Sequence, residues 1–348
     1  MNLLILNYSM NSNSQIFSHQ RKIVFELSKH FDNIDVITSE VFQDLPIKNV
    51  DIFSTRWKTG RPLNNLWRFY IVAIPLLIKH RKGTLFSHMT DVQSALIAIP
   101  CRILKIRHVL WYAHKHPSIY LRTSYPFINA LATSTVGSCP ISGRKVVPLG
   151  QAIDSSMIEN ITRLPKIPPK SWYHVGRIDP SKNIETIISA VRLLRKNHPE
   201  VSLHFYGAPS SEKFQCYYEN LKLLFRQENW ITFHGPLKSS DLTQASSRHD
   251  GFIHAFFGSL DKSVVEAIIL KRIVVSANPE YLSQFENKKV GDLDIFQNIT
   301  RQLGVVYSQP LEATVADIER KFNTARTSHE LKGWIERLLL LLNKKEVL

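Results

Sequence analysis

Residues 252–277 read FIHAFFGSLDKSVVEAIILKRIVVSA. The stretch begins with an apolar run, Phe252 to Phe257, long enough for a buried strand. A small polar turn follows, Gly258-Ser259-Leu260-Asp261-Lys262. Ser263 to Lys271 then has helical spacing, with Val264, Val265, Ile268 and Ile269 on one face, and Ile273 to Ala277 is a second apolar strand. A strand, a tight loop, a helix and a strand in this order fit one unit of a parallel sheet. Such a unit aims its loop and a helix N-terminus at the carboxyl edge of the sheet, where unpaired N–H groups and the helix dipole favour phosphate. One carboxylate, Glu266, lies in the first turns of that helix.

The same pattern recurs outward from this stretch. Leu3 to Leu6 is a short apolar strand, followed by a polar loop, a helix over Gln15 to His30 and a strand at Ile34 to Thr38. Further strands are expected at Val50 to Ser54, Thr84 to Met89, His108 to Ala113, Ala132 to Cys139, Trp172 to Ile178, Val201 to Gly207, Ile231 to His234 and Gly304 to Tyr307. Helices are expected at Asn64 to His80, Asp91 to Leu104, Asn183 to Lys196, Glu212 to Arg226, Ser239 to His249, Leu311 to Thr324 and Ser328 to Lys345. Strands alternating with helices predict an α/β protein with doubly wound parallel sheets. The segment ITRLPKIPPK, residues 161–170, holds three prolines and is the best linker in the chain. The expected domains are therefore 1–160 and 171–326, with a C-terminal helix over 327–348.

Bulk properties bound the function. At 348 residues the chain holds two full cores. Cys101, Cys139 and Cys216 are far apart with no paired spacing, which argues for a reducing compartment and against a zinc site. The N-terminal run MNLLILNYSM lacks the basic start and the length of a signal peptide, and no run of 18 apolar residues predicts a membrane span. The net charge is +15, and it is uneven: residues 1–150 carry 18 Lys+Arg against 7 Asp+Glu. A basic first half suggests an anionic partner, either a membrane surface, a lipid-linked phosphate or nucleic acid. Between residues 56 and 70, Arg56, Lys58, Arg61 and Arg68 alternate with Trp57, Trp67, Phe69 and Tyr70, which suits headgroup depth at a bilayer. The plainer reading is a core helix with a solvated basic face.

Three motifs then carry a resemblance. Residues 176–194 read GRIDPSKNIETIISAVRLL, residues 109–118 read VLWYAHKHPS, and residues 146–154 read VVPLGQAID. With the Glu266 stretch, they resemble the group 1, family-4-like class of retaining GT-B glycosyltransferases. The resemblance implies a GT-B fold, two Rossmann-like domains facing a cleft. It implies transfer of a sugar from a nucleotide sugar to a hydroxyl of a glycan or lipid-linked acceptor, with the nucleotide sugar as co-substrate and no metal or other cofactor. Arg177 and Lys182 match the pair that grips the donor diphosphate, where two fixed cations stabilise the departing charge. Glu266-Ala267 matches the second glutamate of the class, on the donor ribose. The first glutamate, eight positions earlier, falls here on Gly258. Asp261 is a candidate for part of its work on the donor sugar. The loop Ser259, Lys262 and Ser263 is expected on the diphosphate, Leu237 at the base and His114 at the sugar, with His114 and Glu266 as the catalytic candidates.

The cell setting that follows is the cytoplasm or the inner face of the membrane, in polysaccharide or glycolipid synthesis. A non-catalytic glycan- or nucleotide-binding subunit of the same fold is the first alternative, because of Gly258. A nucleic-acid-binding protein is the second, because of the basic first half.

Overall fold

The computed structural model describes residues 2–11, 18–41, 46–57, 60, 62–156, 163–238, 241–287 and 294–344. Its chain divides into two compact units, residues 1–150 with 332–348, and residues 151–331.

The first unit is built from β1 (Asn2–Leu6), α1 (Ser18–Ser28), β2 (Asn33–Thr38), β3 (Val50–Ser54), α2 (Pro62–Lys79), β4 (Thr84–His88), α3 (Asp91–Ile103), β5 (Arg107–Trp111), α4 (Ile119–Ser124), β6 (Ala130–Thr133) and β7 (Val146–Pro148). Its sheet is parallel, in the order β3-β2-β1-β4-β5-β6-β7. Strand β4 is buried along its whole length, as expected for a strand covered on both faces. Its polar side chain Ser87 is satisfied inside, by the His108 ring nitrogen at 2.8 Å.

The second unit contains β8 (Ser171–Val175), α5 (Ile184–Leu194), β9 (Ser202–Tyr206), α6 (Gln215–Leu224), β10 (Ile231–Gly235), α7 (Leu242–Ser247), β11 (Gly251–His254), α8 (Lys262–Ile269), β12 (Ile273–Ser276), α9 (Pro279–Phe285), α10 (Ile295–Ser308) and α11 (Leu311–His329). Its parallel sheet has the order β10-β9-β8-β11-β12. Two apolar clusters lie on it. One gathers Ile184, Ile187, Leu203, Phe205, Ile253 and Val275, the other Tyr173, Phe252, Val264, Ile268 and Phe285.

The last helix, α12 (Leu331–Asn343), belongs to the first unit from Lys332 onward. Trp334 is wholly buried, with ring neighbours Phe86 at 6.2 Å, Trp111 at 5.3 Å and His88 at 6.4 Å. Arg337 donates to the Leu149 carbonyl at 2.8 Å, and Arg107 to that of Leu341 at 2.7 Å.

Several expectations differ from what is observed. Gly304 to Tyr307 is not a strand but the end of α10. The β-branched pair Val305-Val306 favours a strand locally. Its context is an amphipathic run opened by a full capping box at Asp294 and Gln297, with Ile299 and Leu303 buried four residues apart. The strand expected to reach Cys139 stops at Thr133, because Thr135 caps a 3-10 turn over Val136–Ser138. The first unit ends at Gly150, ten residues before the expected 160, and the returning helix joins it at 332 rather than 327. Ile153 explains both: its N–H donates to the His329 carbonyl and its carbonyl accepts from Leu331, so residues 151–154 belong with the end of α11. Residues 12–17, 58, 61, 161–162, 239–240 and 345, on which parts of the expected helices, linker and basic run fall, lie outside the described residues.

Trp334→Ala should destabilise the first unit by about 3–5 kcal/mol, the usual cost of emptying a buried tryptophan site. Trp334→Phe should recover much of that loss. Scanning calorimetry of the three proteins measures both; equal melting of Trp334→Ala and wild type would show that α12 contributes nothing to the first unit.

Candidate functional site

In the second sheet, chain order runs outward from β8 to β10 on one side and from β11 to β12 on the other. The direction of winding therefore reverses between β8 and β11, and their carboxyl ends diverge around a crevice. Doubly wound sheets bind ligands at such a point. The loop after β8 carries Gly176, Arg177, Ile178 and Asp179, then a 3-10 turn at Pro180–Lys182. Asp179 caps that turn through the Ser181 N–H at 3.1 Å, and its other oxygen faces Arg177 Nη1 at 3.5 Å. Arg177 itself is exposed. Asn183, at φ 52°, donates its side-chain amide to the Ala255 carbonyl at 2.9 Å, which ties this loop to the end of β11. The neighbouring strand approaches just as closely. A Cβ on Gly207 would lie 1.8 Å from the Gly176 carbonyl oxygen, so only glycine fits there.

The two sides of the crevice meet in an ion pair. The Lys182 ammonium, nearly buried, donates to Asp261 Oδ2 and sits 3.9 Å from the centre of the Phe256 ring. The same oxygen lies 2.9 Å from His254 Nε2, and His254 Nδ1 lies 3.0 Å from Ser276 Oγ. The Asn278 N–H donates to that hydroxyl at 3.1 Å. The donors run in one direction only if His254 is neutral with its proton on Nε2. Burial lowers the His254 pKa against the pull of Asp261, which agrees. For Asp261, burial works to raise the pKa, but Lys182 and then His254 outweigh it and hold the carboxyl well below the ordinary range.

Asn278 shapes the loop after β11. Its side-chain amide faces the carbonyls of Phe256, Gly258 and Ser259 at 3.0, 3.2 and 3.1 Å. Its carbonyl oxygen accepts from the N–H groups of Glu280 and Tyr281, starting α9. The sequence reading did not single out Asn278 or His254. The only sequence signal for Asn278 is its place before Pro279, a helix N-cap pattern.

The other expected residues take these places. Ser259 is buried in the loop, and Lys262 and Ser263 open α8. Glu266 is largely buried one turn on, 3.5 Å from the Lys262 ammonium. Leu237, past the end of β10, packs against the cluster that holds Leu260 and Val264. At Gly258, where the resemblance places a glutamate, a Cβ would lie 2.2 Å from the Phe256 ring, so a larger side chain there requires that ring to move. His114 belongs to the first unit. It follows β5, is exposed, and its ring meets that of Tyr112 edge-on at 5.4 Å. The structure thus joins Lys182, Asp261 and the loop around Ser259 in one crevice, with Arg177 on the same β8 loop.

Residues 161–291 match the sequence model of the family described as glycosyl transferases group 1. No curated protein matches the chain by sequence. Among solved structures, HepE of Anabaena with UDP and glucose is similar at a TM-score of 0.70 and 14% identity, over 99% of both chains. Sucrose-phosphate synthase of Thermosynechococcus elongatus is similar at 0.73 and 10% identity, over 98% of both. A glycosyltransferase of Rickettsia africae is similar at 0.70 and 11% identity, over 98% of this chain and 97% of the other. The likeness over both units shows a GT-B fold.

Two outcomes follow from this geometry. Asp261 is held ionised by Lys182, so the pair stabilises the fold above the ordinary aspartate range, about pH 3.9, and the contribution is lost as pH falls toward its lowered pKa. The melting gap between wild type and Lys182→Met should therefore be widest above about pH 5 and close in acid. A gap that keeps its size down to about pH 2 would sink the assignment. Asn278→Ala should speed hydrogen exchange at Gly258 and Ser259, and Asn278→Asp should not repair it, because a carboxylate has no N–H to give.

Proposed function

We propose that this glycosyltransferase moves a sugar from a nucleotide-sugar donor to a hydroxyl of a glycan or lipid-linked acceptor, with retention at the anomeric carbon. The observation that carries the reading is the Lys182 ammonium at the β8/β11 switch point, beside the loop and helix N-terminus that follow β11. A departing nucleotide diphosphate gathers negative charge, and this crevice offers cations and N–H groups to it. Lys182 has three donors, so it can keep Asp261 and still reach a phosphate oxygen. Arg177, exposed on the same loop, supplies a second, bidentate contact. The N–H groups of Ser259, Lys262 and Ser263 are assigned to the diphosphate, Glu266 to the ribose and the main chain at Leu237 to the base. His114 is assigned to the donor sugar, where an imidazole can hold a hydroxyl or carry a proton near neutral pH. With two cations in place of a divalent ion, the reaction is proposed to need no metal. The setting proposed is polysaccharide or glycolipid synthesis at the inner face of the membrane, supported by the basic first half of the chain.

One observation favours a second reading. Gly258 stands where the class has its first carboxylate, and a non-catalytic nucleotide-binding relative would tolerate that. Slow hydrolysis of the donor in the absence of acceptor separates the two, since a binding subunit shows none.

The first test is thermal stabilisation of wild type and Lys182→Ala by UDP, GDP and ADP and their sugar conjugates. UDP-sugars come first, because HepE holds UDP and glucose. A ligand at about 100 times its Kd adds about 2.7 kcal/mol, a clear melting shift. The expected result is a shift with one nucleotide that Lys182→Ala loses. No shift with any of them overturns the transferase reading.

A further inference from the structure

Helix α2 carries more apolar surface than its sheet covers. Phe69, Ala73, Leu76 and Leu77 face the core. On the other side Leu63, Trp67, Ile71, Ile74 and Ile78 are each between 48% and 82% exposed. At steps of four, four, three and four residues, these five form one stripe about 80° wide and about 22 Å long. The roll of the helix is fixed. At its C-terminal end, Lys79 Nζ and His80 Nε2 both lie 2.7 Å from Asp35 Oδ2, which is buried on β2. Midway along, the Tyr70 hydroxyl donates to the Leu96 carbonyl of α3 at 3.1 Å. Turning the stripe inward would break a buried ion contact.

Cations gather at one end of this stripe. Arg81 and Lys82 follow Ile78 and are exposed. The Lys82 N–H donates to the Leu104 carbonyl, which brings the exposed Arg102, Ile103 and Lys105 alongside. Scattered exposed hydrophobics are ordinary, but a continuous stripe with a cationic end marks an interaction face. The aromatic run of the sequence takes a different part than expected. Phe69 is core, and Trp57 and Tyr70 pack on the core, so Trp67 alone of the four rings joins the stripe.

Among possible occupants, a second copy laid on the same helix brings no acid from α2 to the cationic end, since Pro62–Lys79 holds none, and nucleic acid gives an aliphatic stripe nothing to bury against. An anionic bilayer meets both parts. Isoleucines enter the acyl boundary, an indole sits at headgroup depth, and cations meet lipid phosphate. We infer that the outer face of α2, with the adjoining end of α3, docks the first unit flat on an anionic membrane surface. No described helix is long and apolar enough to cross a membrane, so the contact lies in the plane of the interface. The inference rests on the membrane setting proposed above and names the surface for it.

The test is flotation of the full chain with vesicles of phosphatidylcholine alone or mixed with phosphatidylglycerol. Compared with wild type are Trp67→Ser/Ile71→Ser/Ile74→Ser and Arg81→Glu/Lys82→Glu, all on exposed positions, with folding checked by circular dichroism melts. Wild type should bind only the anionic vesicles, and less at high salt. Each cation near the surface is worth about five-fold, so the charge variant should lose roughly 25-fold or more. The serine variant should lose at least about ten-fold. Absence of wild-type binding at low salt overturns the inference, as does equal binding by the serine variant. A wild-type dimer that the serine variant makes monomeric, with no vesicle binding, assigns the face to a second copy instead. The nucleotide-sugar melting shift is measured on the same proteins, so its loss with vesicle binding intact counts against the transferase reading alone.

Discussion

Asp261 holds a charge that its surroundings would otherwise suppress. Burial favours the neutral acid, and the Lys182 ammonium with the His254 N–H reverses that preference. The pair exists only because β8 and β11 are neighbours, so that a residue seven places past one strand meets a residue seven places past the other. It also depends on the turn at Pro180–Lys182, which Asp179 and Asn183 hold against the end of β11. In the function proposed above, a diphosphate would add negative charge to a site whose buried cation is already oriented, and the reorganisation that weakens charge stabilisation in water would be avoided. Arg177, exposed on the same loop, is the second cation of that proposal.

The loop after β11 departs in two places from the class it resembles, and they are physically linked. At Gly258 the carboxylate is gone and Phe256 fills the space where its Cβ would begin. That same ring lies 3.9 Å from the Lys182 ammonium. Three residues on, Asp261 returns a carboxylate to the loop, aimed at Lys182. Removing Asp261 alone leaves a nearly buried cation without its counter-charge, and a side chain at Gly258 requires the Phe256 ring to move where it lies beside Lys182, so the three positions are coupled.

Much of this was legible in the sequence, for a simple reason. Parallel strands covered on both faces read as short apolar runs, and helices between them read by period, so the strand–loop–helix units stood out. Arg177 and Lys182 lie on the loop after β8 and Glu266 in the helix after β11, where the strand–loop–helix spacing put them. Asn278 was not legible, because the carbonyls it serves lie 19 to 22 residues earlier in the chain and only the fold brings them near. Val305-Val306 misled because local β-preference is weaker than the amphipathic run around it. The boundary at Gly150 was hidden because Ile153 takes its partners from residues 329 and 331. The run of rings from Trp57 to Tyr70 pointed to the right helix for the wrong reason: most of those rings are core, and the exposed stripe is aliphatic.

The uneven charge of the chain separates its halves by what each can neutralise. In the second unit, acids and bases meet one another: Lys271 with Glu319, Arg192 with Glu228, and Lys321 with both Glu286 and Asp317. Residues 1–150 have 18 cations and 7 acids, so that stretch carries a surplus of positive charge. A surplus of this kind attracts anionic surfaces, but at physiological salt the field fades within about 8 Å. Steering therefore works only at close range, and charge alone gives an attachment that salt undoes. An apolar stripe is insensitive to salt but shows no preference among lipids. At the end of α2 the two occur together, and in the docking inferred above each would supply what the other lacks: the cations would select an anionic surface, and the isoleucines would hold it once reached.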